Sequence, residues 1–500
     1  MLISNKSYRF QNTTMVFVTG MISLSISQQR LVAIDSFPVA QVWSGHPVDF
    51  DLIEKNDTLY AGYYASVPDR QLTIVRRTPA GVGTWSSMGL NTSVGWDSHN
   101  YIDMSLDGQN FLHISGNMHN VPLIYYRSNT PGNISALARI ASMTGNNEAS
   151  VTYPVFFSGP NGEFLFMYRD GASGNGSQIV NTWNSVPRTW SRLLTTPLFD
   201  GQGQRSAYMG GPSAGPVTGP GDGFYHLFWF WRATADAAST YYVSYVRSRN
   251  ITQWETATGA AVTLPITFST PGVVVDPVPQ FSGLINRGQI GFDAQGRPII
   301  TYHKFDATPQ GYTQLYNARL ENGTWRIYQT TDWTYKWNFG GTGSLVIEIE
   351  FGPVVLNANG TLTQWYRHSQ YGTGVLQLNP TNLHADQILP DTYWPANLET
   401  VRRAGMNVHW LKVVSSSDPT LVYALRWETM PSNQDMPRTP IPAATPLMFY
   451  RLRDPNVTPV DRMASRLHGR RPIRLELRGT SVRIGEEDLR GRVLAPLIRP

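Results

Sequence analysis

A repeat limits this chain more than any other feature of it. From Val42 onward, short apolar runs of alternating pattern recur, many of them following a turn that carries Gly: Asp107-Gly108, Asn161-Gly162, Asp222-Gly223, Gln295-Gly296 and Asn359-Gly360. Such dipeptides favour the left-handed backbone of a tight hairpin. The runs themselves read as strands: TLYAGYYA from Thr58, EFLFMY from Glu163, FYHLFWFW from Phe224, PIITYH from Pro298, LTQWY from Leu362 and NVHWLKV from Asn407. Successive units begin near Pro47, His99, Tyr153, Ala207, Asn286, Leu345 and Arg402. Units of roughly fifty to eighty residues predict an all-β chain folded as a seven-bladed β-propeller of four-stranded blades. A β-sandwich does not need so many units. A helical solenoid conflicts with a composition of 44 Gly, 34 Pro, 15 Trp and 24 Tyr.

Three segments fall outside this rhythm. Residues 1–41 read as a leader, in which MVFVTGMISLSIS from Met15 is an apolar run too short to span a membrane and similar to a degraded signal peptide. The propeller is expected over 42–431, with a C-terminal extension over 432–460. Residues 461–500 hold ten Arg against five Asp or Glu and no Lys, Trp or Tyr, and are expected to be a disordered or artefactual tail. That surplus equals the whole net charge of +5, so the body of the chain is neutral. It lacks the basic stripe that phosphate binding needs, which sets nucleic acid aside. There are no cysteines and hence no disulfides. Asn-x-Ser/Thr sequons at Asn56, Asn91, Asn133, Asn175, Asn250, Asn322, Asn359 and Asn456 suit a glycosylated, secreted protein. A monomer without a membrane partner is expected.

Chemistry concentrates in units two and three. His99 (DSHNY) and Tyr153 (VTYPVF) each open a unit, whereas His119 (GNMHN) and Arg169 (MYRDG) each follow a second strand. Equivalent positions on adjacent blades are neighbours in space, so the four should converge at the channel mouth. Two imidazoles, a phenol and a guanidinium suit β-elimination on a uronic acid. A bidentate Arg neutralises the carboxylate and so acidifies the C5 proton; a His or Tyr removes that proton, and another group protonates the departing O4. Taken singly, each residue has an ordinary structural reading as a hydrogen-bonded strand residue. Arg205 and Tyr208 (QRSAYMGGP) open unit four and could extend the pocket, and His303, at the end of its strand, could line it. His46 looks structural.

The segments WSGHPVDF, GWDSHNY, SGNMHN, YYRS, MTGNNEASVTYP and YRDGASGNG resemble the repeat-containing propeller polysaccharide lyases, a group with ulvan lyases and fungal L-rhamnose-α-1,4-D-glucuronate lyases. The resemblance runs from about Val42 to about Trp427. It implies acid/base roles for His99 and His119, a catalytic phenol in Tyr153 and a carboxylate neutraliser in Arg169. It further implies an acidic polysaccharide or oligosaccharide substrate, for which Asn100, Asn117, Arg205, Tyr208 and His303 are the candidate binding residues. No cofactor is required by this chemistry; a structural calcium is compatible with the Asp-rich turns, although no EF-hand loop occurs. The alternatives are an ulvan lyase, a sialidase-like hydrolase and a non-catalytic sugar-binding propeller. The Ser105-Leu106-Asp107-Gly108 turn lacks the spacing and the Trp of a sialidase repeat, and a lectin would repeat its site in every blade.

Overall fold

The computed structural model describes residues 31–66, 69–210, 215–455, 457 and 482–484. Its strands pair into seven sheets, almost without helix, arranged as a β-propeller. Taken in chain order, the first sheet runs Asp51–Lys55, Thr58–Tyr64, Gln71–Thr78, Thr84–Ser93. The second runs Ile102–Leu106, Leu112–Gly116, Tyr125–Ser128, Leu137–Ile140, and the third Val151–Ser158, Phe164–Ala172, Asn175–Asn184, Thr189–Arg192. The fourth, fifth and sixth open with Ser206–Met209, Gln289–Phe292 and Ile349–Phe351. Neighbouring strands of these sheets are antiparallel, as short turns require. In the second sheet the Asp107 carboxylate accepts from the amides of Gln109 (2.9 Å) and Phe111 (2.8 Å), so the turn read from Asp107-Gly108 is fixed by its own aspartate.

Middle strands are buried on both faces and therefore lose the polar alternation of a surface sheet: Tyr225–Arg232 (YHLFWFWR) is buried throughout. Outer strands such as Thr84–Ser93 keep one wet face. Apolar clusters join neighbouring sheets: Phe156, Phe166 and Tyr125 lie between the second and third, and Phe230, Val243 and Ile300 between the fourth and fifth. Phe50 stacks on Trp427 at 4.5 Å between ring centroids, tying the first sheet to the seventh. Such a pair adds about 0.5–1.5 kcal/mol beyond the area it buries.

The seventh sheet moves the predicted boundaries. Its order is Val32–Val42, Thr445–Arg453, Leu421–Thr429, Asn407–Val414, and then Val482–Ile484, a strand from the segment expected to be a disordered tail that pairs parallel with Asn407–Val414. Val32–Val42 falls almost wholly in the segment assigned to a leader, and Thr445–Arg453 in the segment assigned to an extension. They pair antiparallel from Val32 opposite Arg453 to Val42 opposite Thr445, so the chain's first described strand closes its last sheet. The physical reason is edge pairing: Thr445–Arg453 would otherwise present a row of unpaired backbone groups. Residues 1–30 and the expected tail of 461–500, apart from Val482–Ile484, lie outside the described residues. Among those described, no helix is long and apolar enough to cross a membrane.

Candidate active site

Asp97, two residues before His99, organises the site. His99 Nδ1 donates to Asp97 Oδ1 at 2.7 Å, and His119 Nδ1 donates to Asp97 Oδ2 at 2.5 Å. The same Asp97 Oδ1 accepts from the His99 backbone amide at 2.9 Å, a local turn that fixes the Asp-x-His spacing. The two imidazoles stack with centroids 4.3 Å apart. With both Nδ1 atoms bound to one carboxylate, each ring has Nε2 left for a substrate. Burial tends to raise the Asp97 carboxyl, but hydrogen bonds from His119 and His99 outweigh it and hold the group well below the usual carboxylate range. Burial pushes the His119 imidazole down, against the pull of Asp97.

His119 reaches this place by a strand exchange that the sequence reading did not foresee. His119–Val121, which follows the second strand of the second sheet, pairs with Val151–Ser158 of the third. Thr152 lies opposite His119 on one side and opposite Arg169 on the other. Residues directly opposite in antiparallel strands share a face, so His119 and Arg169 stand in one row about 9–10 Å apart along the sheet.

Tyr153 sits in a bulge between Thr152 and Val155, with φ at +57°, a conformation that costs a bulky residue of order 1–3 kcal/mol. Tyr101 Oη donates to the Pro154 carbonyl at 2.8 Å and pins the bulge. The Tyr153 ring is thereby turned against both imidazoles, at 6.1 Å from His99 and 6.3 Å from His119. Burial, then the neighbouring Tyr208, pushes its phenol well above the ordinary value.

Arg169 is 1% exposed and lies over Tyr153 (4.9 Å) and Tyr208 (5.4 Å). Its Nε donates to the Gly171 carbonyl at 3.1 Å, while Nη1 and Nη2 are buried without a hydrogen bond of ordinary geometry. A Cβ on Gly176 would stand 2.8 Å from Arg169 Cδ, so the glycine leaves the room this side chain occupies. One sheet further on, Arg232 covers the Tyr208 ring at 5.3 Å, and the Tyr208 hydroxyl bonds Ser173 Oγ at 2.7 Å. Burial tends to raise the Tyr208 phenol; the guanidiniums of Arg169 and Arg232, with the Ser173 bond, outweigh it and pull the group below its ordinary value.

His99, His119, Tyr153, Arg169 and Tyr208 thus converge, and the other candidates divide. Asn100 is next to the pair, and its carbonyl accepts from Tyr64 Oη at 2.6 Å. Asn117 donates its amide to Thr92 Oγ1 (2.7 Å) and the Ser93 carbonyl (3.0 Å) and so braces the first sheet. The Arg205 side chain lies on Phe268 at 4.7 Å and bonds Gln204, while its carbonyl accepts from Gly176 at 3.3 Å. His303 is corrected: it is fully buried, bonds the Gly283 carbonyl at 2.7 Å and is pushed down to about 4 by burial, a core residue among Trp337, Phe339 and Phe351. His46 is buried and accepts from Trp43 Nε1, in the structural role expected of it. Sequence reasoning passed over Asp97 and Arg232. The signals were there: an Asp-x-His spacing, and an Arg ending a second strand one unit after Arg169.

The ligand atoms of Asp97, His99 and His119 all lie within 4.8 Å of one another, close enough to hold a metal ion. Two imidazoles and a carboxylate suit zinc rather than calcium, which takes oxygen ligands. A metal there would replace the protons that now join the rings to Asp97.

No curated protein matches the chain in sequence. Among solved structures, the polysaccharide lyase Uly1 is similar with a TM-score of 0.56 at 13% identity, over 84% of this chain and 99% of that one. A PL25 ulvan lyase bound to -[GlcA(1-4)Rha3S]- is similar with a TM-score of 0.56 at 14% identity, over 84% and 95%. At such identity the likeness speaks for the fold. A model of the BNR repeat-containing family matches residues 58–333, more than half of the chain, and the protein belongs to that family.

Proposed function

We propose that this protein is a polysaccharide lyase that cleaves the L-rhamnosyl-α-1,4-D-glucuronate linkage by β-elimination, and that its seven sheets are the seven blades of one ring. The observation that carries this reading is Arg169, whose two terminal nitrogens are buried against the Tyr153 and Tyr208 rings with no carboxylate and no hydrogen bond of ordinary geometry, beside an Asp97-held imidazole pair. Buried guanidinium nitrogens without a counter-charge are costly unless a carboxylate arrives to accept their fork. A uronate bound there loses the charge that makes its C5 proton only weakly acidic. His119 shares a row with Arg169 and is the group assigned to take that proton. His99, on the other oxygen of Asp97, is assigned to protonate O4 as the bond to it breaks, giving up an Nε2 proton while its Nδ1–H stays on Asp97, so the ring enters the step with both nitrogens protonated. Electrons from the C5–H bond form the C4–C5 double bond, and the pair of the C4–O4 bond leaves with the sugar. Tyr153 and Tyr208 wall the pocket and keep the guanidinium in place.

Hydrolysis by paired carboxylates is disfavoured by what the carboxylates already do. Asp97 accepts from both imidazoles, and Asp435 accepts from the amides of Ser98 and Ser344. The ligand bound to the ulvan lyase neighbour contains glucuronate joined to a sulfated rhamnose, and the test separates the two substrates. Purified protein is incubated with a rhamnose-capped glucuronide and with its 3-sulfated counterpart, and the near-ultraviolet absorbance of an unsaturated uronate is followed. Faster elimination from the unsulfated cap is expected. Preference for the sulfated cap selects the ulvan reading, and a saturated glucuronate product sinks the lyase reading.

A further inference from the structure

The segment between Thr324–Gln329 of the fifth sheet and Ile349–Phe351 of the sixth contains no strand, yet it is tied down at both of its outer contacts. Trp337 donates its backbone amide to Thr313 Oγ1 at 2.9 Å, and its ring, with Phe339, packs on His303. The chain then leaves its own sheets. Gly341 donates to Asp236 Oδ1 at 2.8 Å and its carbonyl accepts from Ala237 at 2.9 Å, in the loop that follows Tyr225–Arg232 of the fourth sheet. That loop is the one Arg232 holds, through the carbonyls of Asp236 (3.2 Å) and Ala235 (2.8 Å).

Three residues later the segment is at the opposite flank of the site. Ser344 donates its amide to Asp435 Oδ2 at 3.0 Å and its hydroxyl to the same carboxylate, and its Oγ also meets Ser98 Oγ. Asp435 Oδ1 accepts from the Ser98 amide at 3.2 Å, and its other oxygen lies 3.8 Å from His99 Nδ1. The Ser344 carbonyl accepts from Gln434 at 3.0 Å, and a Cβ on Gly343 would stand 2.6 Å from the Gln434 carbonyl. A segment that starts in the fifth sheet, touches the fourth and reaches the residue between Asp97 and His99 must cross the mouth of the ring. Three residues span at most about 10–11 Å, so Gly341 to Ser344 bridges the whole gap between the Arg232 flank and the His99 flank.

We infer that this strap, locked by the Ser98–Ser344–Asp435 clasp, is the specificity-determining element that limits how many sugars beyond O4 the site admits. The inference rests on the reading proposed above, in which His99 protonates O4. The clasp sits on the residue next to His99, so the strap stands on the leaving-sugar side. A polymer cannot thread past a segment hydrogen-bonded on both flanks. The accessible glucuronates are those close to a chain end, with a short cap on O4, and the remainder of the chain trails away from the strap.

The test compares two substrates with the full chain: a rhamnose-capped glucuronide oligosaccharide, and a glucuronate–rhamnose polymer whose terminal caps have been removed. Unsaturated-uronate absorbance gives turnover and size-exclusion chromatography gives chain length. Wild type is expected to eliminate from the capped oligosaccharide and to leave the mean mass of the polymer unchanged. Asp435→Ala is expected to raise the ratio of interior to terminal cleavage by about tenfold or more, since the strap then loses the acceptor for both Ser98 and Ser344. Should that variant fold poorly, Ser344→Ala, which keeps the amide bond to Asp435, is expected to move the ratio in the same direction by less. Wild type that shortens the polymer as fast as absorbance appears overturns the inference. So does an unchanged ratio in both variants. Absence of unsaturated product from the capped oligosaccharide and the polymer alike overturns the lyase reading itself, and the strap assignment with it.

Discussion

Replacing Asp97 by Asn keeps the shape of the side chain and removes its charge. In the native site the carboxylate accepts one imidazole N–H on each oxygen, at 2.7 Å from His99 and 2.5 Å from His119. An amide offers only one acceptor oxygen, and its NH2 forces the other imidazole to accept, moving that ring's proton from Nδ1 to Nε2. One ring then has the wrong tautomer, and neither has a negative charge to stabilise an imidazolium. Each hydrogen bond to a charged group contributes about 1.5–3 kcal/mol, so the pair is worth about 3–6 kcal/mol. At about 1.4 kcal/mol per factor of ten this is a rate loss of about 10² to 10⁴. The assay is initial-rate formation of unsaturated uronate from a rhamnose-capped glucuronide, with circular dichroism to verify folding. Because Asp97 acts through the imidazoles, Asp97→Asn combined with His99→Ala should cost little more than the worse single change. An Asp97→Asn variant within about tenfold of wild type, or a strictly multiplicative double variant, would refute the claim that the carboxylate orients the pair.

Gly176→Ala places a methyl 2.8 Å from Arg169 Cδ and 2.9 Å from Cγ, so displacement of the guanidinium should cut turnover by about tenfold or more while the thermal midpoint shifts little; unchanged kinetics would show that the site tolerates a shifted Arg169. Starting the chain after Val42 removes the strand that covers Thr445–Arg453 and the Phe37–Phe449 stack at 5.6 Å, and should cost a large share of the roughly 5–15 kcal/mol that holds a domain folded, whereas starting at Leu31 should not. Equal solubility and denaturation midpoints for the two truncations would contradict the closure. Burial holds His46, His303, His368 and His409 down at about 4 in the native state. Unfolded, they bind protons below about 6.5, so between that value and about 4 the unfolded state carries more protons and stability must fall as pH falls. Denaturant midpoints that stay flat from pH 7 to about 4.5 would rule this out.

The strand rhythm was legible because each turn carries its own chemistry. Asp107-Gly108 announces a hairpin, and the Asp107 carboxylate then holds it. Legible too was the convergence of His99, His119, Tyr153 and Arg169, since units of similar make-up stack as neighbours. The closing strand was not, because Val32–Val42 follows an apolar run that resembles a leader and its partner lies some four hundred residues away. His119–Val121 crosses to the third sheet through three residues, too few to leave a periodic signal. His303 looked like a site residue because it ends an apolar run; the aromatic packing that buries it comes from Trp337, Phe339 and Phe351, which local pattern cannot place. The strap carries two glycines with positive φ, Gly341 and Gly343, and no alternation, so it read only as a gap between units.

The most direct test of elimination is the mass balance of a single bond cleavage carried out in water enriched in heavy oxygen. A rhamnose-capped glucuronide is digested with the full chain, and both fragments are weighed by mass spectrometry. The account predicts free rhamnose and a uronate lighter than glucuronic acid by one water, with masses that sum to that of the substrate and, in samples taken before the free anomeric oxygen exchanges with solvent, no heavy oxygen in either. Fragments whose masses exceed the substrate by one water, with the label in one of them, would mean hydrolysis and would contradict the roles given to Arg169, His99 and His119 together.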